Sequence, residues 1–244
     1  MYTWCDLTKQ LPFAINIDEL RRELDQLKDD SWLEHYDVTL SRGWKSIPLV
    51  SKNGEASGPE SQRAAPYEEM KRTEICADLP AFSSLLDSFH CPQGRIRITR
   101  LDPGSGIDKH RDIGHEVANL AFRKVRLHIP IETNSGVYFW VDGEKIKMDT
   151  GRLYYVNFSK LHYVMNDGDS PRYHLVMDLG VNGWLSNFFP PTSLKDRVEM
   201  AFYRLTLPAF WYLRRKKVVW TTKFWQHYNG SWLQRTRQRY FSKS

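Results

Sequence analysis

At 244 residues, with 41% hydrophobic and 14% aromatic side chains, the chain holds enough apolar material for one sizeable core and falls outside the disordered class. No stretch approaches the roughly 18 consecutive apolar residues of a membrane helix, and the opening MYTWCDLTKQ lacks the basic-then-apolar order of a secretory leader, so a soluble, cytoplasmic protein is the default expectation. The net charge of +6 is uneven: residues 195–244 carry twelve Lys and Arg against Asp196 and Glu199, a local +10 that leaves −4 for residues 1–194, so the basic balance gives no reason to expect nucleic acid on the body of the chain.

In NIDELRRELDQLKDD the apolar residues Ile17, Leu20, Leu24 and Leu27 recur at steps of three and four, with Asn16 placed to cap and Glu19 three residues on, which predicts an amphipathic helix. A second helix is expected in DLPAFSSLLDSF, where Phe82, Leu85, Leu86 and Phe89 share a face and Pro80 stands near the start. Between them residues 51–73 have little apolar content and no steady period, and read as either a lid or a plain surface loop. Cys5, Cys76 and Cys91 are widely spaced, without a C-x-x-C pair, and read as reduced thiols.

From Gly94 the period changes to two. RIRITRL sets Ile96 and Ile98 against Arg97 and Thr99, KVRLHIPI sets Val125, Leu127 and Ile129 against Arg126 and His128, and GVYFWV is rich in β-formers. Asp142-Gly143 after GVYFWV is the signature of a two-residue hairpin turn, and RLYYVNF and RYHLVMDL add two further strands, the latter introduced by NDGDSP. Many short strands with turns between them and no alternating helices favour an antiparallel barrel or sandwich.

Within this β region, residues 107–117 read IDKHRDIGHEV, in which His110 and Asp112 stand two apart. On extended chain both side chains point one way, and imidazole with carboxylate suits iron or manganese. The pair alone is weak evidence, because chance supplies about one such pair in a chain of this composition, and His35 with Asp37 is a second. His162, fifty residues beyond Asp112 at a strand end, completes a two-histidine, one-carboxylate set, and Arg172 ten residues later is placed to hold a carboxylate.

HRD, RLHIPIETN and LHYVMNDGDSPRYHLVMDL together resemble the aspartyl/asparaginyl β-hydroxylase family, which includes bacterial proline hydroxylases, within the Fe(II)- and 2-oxoglutarate-dependent oxygenases; the resemblance covers roughly residues 37–185. It implies a mainly β fold with flanking helices, a double-stranded β-helix (cupin-type jelly roll) over residues 1–190, with 191–244 a helical extension outside it. It also implies that His110, Asp112 and His162 ligate Fe(II), that Arg172 holds the distal carboxylate of 2-oxoglutarate, that His128 hydrogen-bonds the carboxylate near iron, and that Arg126 binds a substrate carboxylate. Thr99 is placed with the cosubstrate and Arg97 with the substrate, although contact of either with either ligand stays open, and a plain surface role stays open for Arg126. His115 is off the family pattern, and His174 reads as a satisfied core histidine.

The activity implied is O2- and 2-oxoglutarate-dependent hydroxylation of an unactivated C–H in an amino acid, an aspartyl or asparaginyl peptide or a related carboxylate-bearing small molecule. The alternatives are a lipid-like or natural-product substrate on the same fold, and a cupin binding module without turnover. In the extension, Val198, Phe202 and Leu205 are at helical spacing, and beyond Pro208 aromatic and basic residues interleave. An anionic membrane surface, nucleic acid or an acidic partner is open there, beside the preferred reading of a small helical subdomain with solvated charges. The sequence leaves the oligomeric state open.

Overall fold

The computed structural model describes residues 2–34, 41–112, 120–202 and 204–206, with the side chains of residues 41 and 42 excepted. The second His-x-Asp pair, at 35 and 37, His115, and the extension from 207 onward lie outside the described residues. The chain divides into two compact units, residues 1–197 and 198–244.

Eleven strands of one antiparallel sheet are present among the described residues: β1 (Trp4–Asp6), β2 (Leu33–Glu34), β3 (Ser41–Lys52), β4 (Met70–Arg72), β5 (Gln93–His110), β6 (Lys124–Glu132), β7 (Val137–Val141), β8 (Glu144–Ile146), β9 (Tyr154–Val156), β10 (His162–Asn166) and β11 (Arg172–Gly180). They run in the order β1-β9-β6-β11-β5-β10-β7-β8, with β3 also joined to β5 and carrying β2 and β4. The long β5 explains how one sheet becomes two walls. Its first half, from Gln93 to Leu101, pairs with β11, whereas Ser105 to His110 pair with β10. The change of partner falls at Asp102-Pro103-Gly104, where Gly104 has φ +72°. The curled sheet is a jelly roll, as the resemblance implies.

Side-chain alternation then decides what each face carries. The odd residues Val125, Leu127, Ile129 and Ile131 of β6 and Leu175, Met177 and Leu179 of β11, with Ile96 and Ile98 of β5, belong to an apolar core. That core also takes Leu20 and Leu24 of helix α1 (Ile17–Leu24) and Phe82, Leu85 and Leu86 of helix α3 (Pro80–Asp87), which follows the single-turn α2 (Glu74–Ala77). The opposite face of the same strands carries Arg126, His128, Arg172, His174, Thr99 and Arg97, and it looks inward, toward the second wall. There a second, smaller core of Trp44, Leu101, Phe139, Val141, Val156, Phe158 and Val164 packs. Polar residues on these strands therefore line an interior rather than face water.

Local expectations from the sequence mostly reappear. Asn16 caps α1, its Oδ1 accepting from the Glu19 N–H at 3.3 Å, and α1 stops at Leu24 rather than running on to Leu27. Pro80 opens α3, whose first N–H groups, at Ala81 and Phe82, donate to the buried carboxylate of Glu23 at 2.6 and 3.1 Å. Asp142 and Gly143 both take positive φ, +52° and +90°, as a two-residue hairpin turn between β7 and β8 requires.

Residues 51–73 are neither lid nor plain surface loop: they complete β3, form β4 beside it, and bury Ser61 and Gln62, whose carbonyl accepts from the Arg95 guanidinium. A fourth helix, α4 (Gly183–Ser186), follows the sheet, capped by Asn182. Residues 194–202 and 204–206 are helical, with Leu194, Val198, Phe202 and Leu205 exposed. Among the described residues no helix is long and apolar enough to cross a membrane, and the three cysteines are free.

A candidate metal and cosubstrate site

Strand pairing brings the metal candidates together. His110 ends β5 directly opposite His162, which begins β10, and their rings lie 4.2 Å apart between centroids. Two residues on, the Asp112 N–H donates to the Phe158 carbonyl at 3.0 Å, which turns its carboxylate toward the same point. Asp112 Oδ1 is 3.4 Å from His110 Nε2 and 3.9 Å from His162 Nε2, and the three donor atoms lie within 4.8 Å of one another.

The tautomers follow from the partners. His110 Nδ1 lies 2.7 Å from the Asp108 carbonyl and His162 Nδ1 lies 2.9 Å from the Lys160 carbonyl. A carbonyl only accepts, so each Nδ1 carries the hydrogen and each Nε2 presents a lone pair toward Asp112. Burial holds His162 neutral, its pKa pushed down to about 4 against the opposing pull of Asp112. Burial alone would raise the Asp112 carboxyl, but Arg126 first, with His110 and His162, outweighs it and holds the group well below the usual carboxylate range. Two imidazole Nε2 atoms and one carboxylate converging from one side fit a divalent iron and leave its other side open for ligands.

The cavity beside this trio holds about 260 Å³ and is lined by Arg172, His128, Thr99, Arg97 and Arg126 together with Phe139, Phe158 and Val164. Among the described residues Arg172 is buried without a carboxylate partner. Its Nη2 donates to His174 Nδ1 at 2.7 Å and its Nε has no partner among the described residues, while burial pushes its pKa down to about 9. His128 stacks on Phe158, 5.4 Å between centroids, and its buried Nε2 also lacks a partner among the described residues. Buried polar atoms left unpaired are costly. Here two of them belong to residues lining one cavity, as a dicarboxylate cosubstrate held by both residues would need. Thr99 faces the same cavity, its hydroxyl donating to the His174 carbonyl at 3.2 Å.

Arg126 is differently placed from the expectation that it binds a substrate carboxylate. Its Nε and Nη2 donate to the two oxygens of Asp178 at 2.5 and 3.0 Å, and its Nη1 donates to Asp112 Oδ2 at 2.8 Å. Arg95 meets the same Asp178 at 3.2 Å. Arg95 and Asp178 are absent from the sequence reading, and His174, read there as a satisfied core histidine, pairs through Nδ1 with Arg172 while its buried Nε2 has no partner among the described residues. The signal for them was present: β11 carries Arg172, His174 and Asp178 on one face while its other face is wholly apolar, so neither face is built for solvent.

A family model described as aspartyl/asparaginyl β-hydroxylase matches residues 15–180. Among solved structures, a prolyl-4-hydroxylase from Pseudomonas putida is 13% identical, with 75% of this chain and 95% of that chain covered and a TM-score of 0.45. A prolyl hydroxylase from Trichoplax adhaerens, in complex with a hypoxia-inducible-factor peptide fragment, is 14% identical over 75% and 86%, TM-score 0.46. HygX from Streptomyces hygroscopicus, with nickel and 2-oxoglutarate bound, is 10% identical over 68% and 78%, TM-score 0.44. At such values these structures are similar without deciding anything, and the family match carries the assignment. The chain belongs to the aspartyl/asparaginyl β-hydroxylase family and is a hydroxylase that works with Fe(II), 2-oxoglutarate and O2.

Proposed function

We propose that this hydroxylase acts on an unactivated C–H bond of an amino acid, an aspartyl or asparaginyl peptide, or a related small carboxylate-bearing molecule, with His110, Asp112 and His162 holding the iron and Arg172 and His128 the cosubstrate. One observation carries the reading: three metal-suited donors within 4.8 Å of one another at a cavity that is also lined by a buried arginine with no carboxylate of its own among the described residues.

Iron bound there supplies the oxidising chemistry, coupling the oxidative decarboxylation of 2-oxoglutarate by O2 to insertion of a hydroxyl group. The protein's part is position and charge. His110 and His162 offer Nε2, fixed by their Nδ1 hydrogen bonds to backbone carbonyls. Asp112 offers Oδ1, because its Oδ2 is taken by Arg126. Arg172 meets a distal carboxylate that would be costly to bury alone, and Phe139, Phe158 and Val164 keep the cavity wall apolar so that the charged contacts inside it are not weakened by water.

The test is Fe(II)- and 2-oxoglutarate-dependent formation of succinate, with a mass-spectrometric screen for a +16 product across free amino acids and peptides. His162→Ala is expected to abolish both metal binding and turnover. Arg172→Ala is expected to leave metal binding in place and raise the 2-oxoglutarate requirement by roughly 10- to 100-fold, the weight of a charge-assisted hydrogen bond. Undiminished turnover in His162→Ala would sink the site assignment.

A further inference from the structure

The helical residues 194–202 and 204–206 start at a reciprocal cap. The Ser193 N–H donates to Asp196 Oδ2 at 3.0 Å and the Asp196 N–H donates to the Ser193 hydroxyl at 3.1 Å. Further on, within the second compact unit, Val198, Phe202 and Leu205 follow at steps of four and three, which at about 100° per residue puts all three on one face of the helix. They are 62%, 63% and 77% exposed. A subdomain with a core of its own would bury these three first, so the face is built to meet something other than this chain. The sequence that follows, residues 207–244, carries nine Lys and Arg and no Asp or Glu, interleaved with ten Phe, Tyr and Trp.

We propose that residues 198–244 dock this protein on an anionic lipid surface, lying on the membrane without crossing it, with Val198, Phe202 and Leu205 turned to the acyl boundary and the Lys and Arg beyond them matched to lipid phosphates.

Three physical arguments select this occupant. Charge is the first. Residues 1–194 carry −4 and give an anionic surface no attraction, whereas 207–244 offer nine cations and not one carboxylate to repel it. Residue type is the second. Four of the ten aromatic residues are Trp and three are Tyr, rings with an apolar body and a polar edge that suit the headgroup layer. A nucleic acid would use the same cations and stack its bases on the same rings, but it has no use for an exposed helix face of Val198 and Leu205, which an acyl boundary buries. Length is the third. No run between the Lys and Arg of this segment exceeds eleven residues, short of the roughly 20 that a membrane-spanning helix needs, so the segment is suited to the surface.

The experiment uses the full chain, co-sedimented with vesicles of phosphatidylcholine alone or of phosphatidylcholine with about one third phosphatidylglycerol. Binding to the anionic vesicles is expected to be at least roughly tenfold tighter than to the neutral ones, and to weaken as salt is raised from about 0.1 to 0.5 M. Phe202→Asp combined with Leu205→Asp, two exposed positions whose change leaves the fold intact, is expected to weaken it roughly tenfold or more. Lys216→Gln combined with Lys217→Gln is expected to weaken it roughly 10- to 30-fold. No sedimentation, or equal sedimentation with neutral vesicles, overturns the inference. So does tighter binding to a single-stranded oligonucleotide that the Phe202 and Leu205 changes leave untouched, which would make the segment a nucleic-acid binder. A dimer in sedimentation velocity that the same two changes dissolve would also overturn it, because the face would then belong to a second copy of this chain. Vesicle binding is read without metal or 2-oxoglutarate, so its outcome is separate from that of the oxygenase site.

Discussion

The two oxygens of Asp112 face different partners: Oδ1 looks to the histidine Nε2 atoms and Oδ2 to Arg126. In the proposed site Arg126 is thus a positioning residue for the metal, and its removal has a consequence that a substrate-binding role would not produce. Arg126→Met is expected to weaken Mn(II) binding roughly 10- to 100-fold, as loss of a partner behind a metal ligand generally does, and to cost about 1–3 kcal/mol of stability, because the half-buried Asp178 keeps Arg95 but loses two charge-assisted hydrogen bonds. A metal titration followed by paramagnetic resonance, with a urea melt alongside, checks both; unchanged metal affinity would return Arg126 to the substrate. The trio and Arg172 were legible in the sequence because four residue types fell in a known order. The ion-pair network behind them was not, since Asp178 sits in RYHLVMDL where alternation alone does not say which face is the wet one. Only the curl of the sheet makes the polar face the interior.

At the scale of the element, backbone geometry sets where the site sits. Gly43 has φ +64° in the bulge where β3 meets β5, and a Cβ there would come 2.0 Å from Ser105 Oγ and 2.9 Å from its Cβ. Gly143, in the β7–β8 turn, has φ +90° but open space around it. Gly143→Ala is therefore expected to cost about 1 kcal/mol from left-handed strain alone, whereas Gly43→Ala adds a clash within the sheet and is expected to cost more, about 2–4 kcal/mol. It should also disturb the cavity wall, because Trp44, the next residue, lines it. Denaturant midpoints of the pair measure the difference, and equal losses would show that the bulge accommodates a side chain. This bulged strand is also where the sequence reading was silent. GWKSIPLVSK contains Pro48, which demotes a run from central strand, and here Pro48 is tolerated because β3 carries a bulge between Pro48 and Val50. Asp102-Pro103-Gly104 serves as the bend within β5, where Gly104 takes φ +72°. The hairpin and the α1 cap were legible because their signals are local, whereas β3 is defined by partners about fifty residues away.

For the whole molecule, the interior couples stability to pH and to metal. His128, His162 and His174 are all buried and all held neutral: burial first, then Arg172 and other cations, pushes His128 and His174 well down, and burial brings His162 to about 4. Unfolded histidine titrates near 6.5. Between those values the unfolded chain binds protons that the folded one refuses, so this stability is fully present above about pH 6.5 and is lost as pH falls toward 4. Each histidine contributes a slope of up to about 1.4 kcal/mol per pH unit where the unfolded chain alone takes up its proton, so the loss steepens with each of them. The metal-free protein is therefore expected to show a urea midpoint nearly flat from pH 7 to 8.5 and falling steeply from 6.5 to 4.5. A profile flat through that range would mean that these imidazoles are not held neutral. Metal with 2-oxoglutarate at a hundredfold excess over the dissociation constant adds about 2.7 kcal/mol. Protons compete with the metal for the lone pairs of His110 and His162, so that increment should shrink over the same window. Stability and metal loading are then expected to decline together on acidification, because the imidazoles that stay neutral in the fold include His162, which holds the iron in the proposed site.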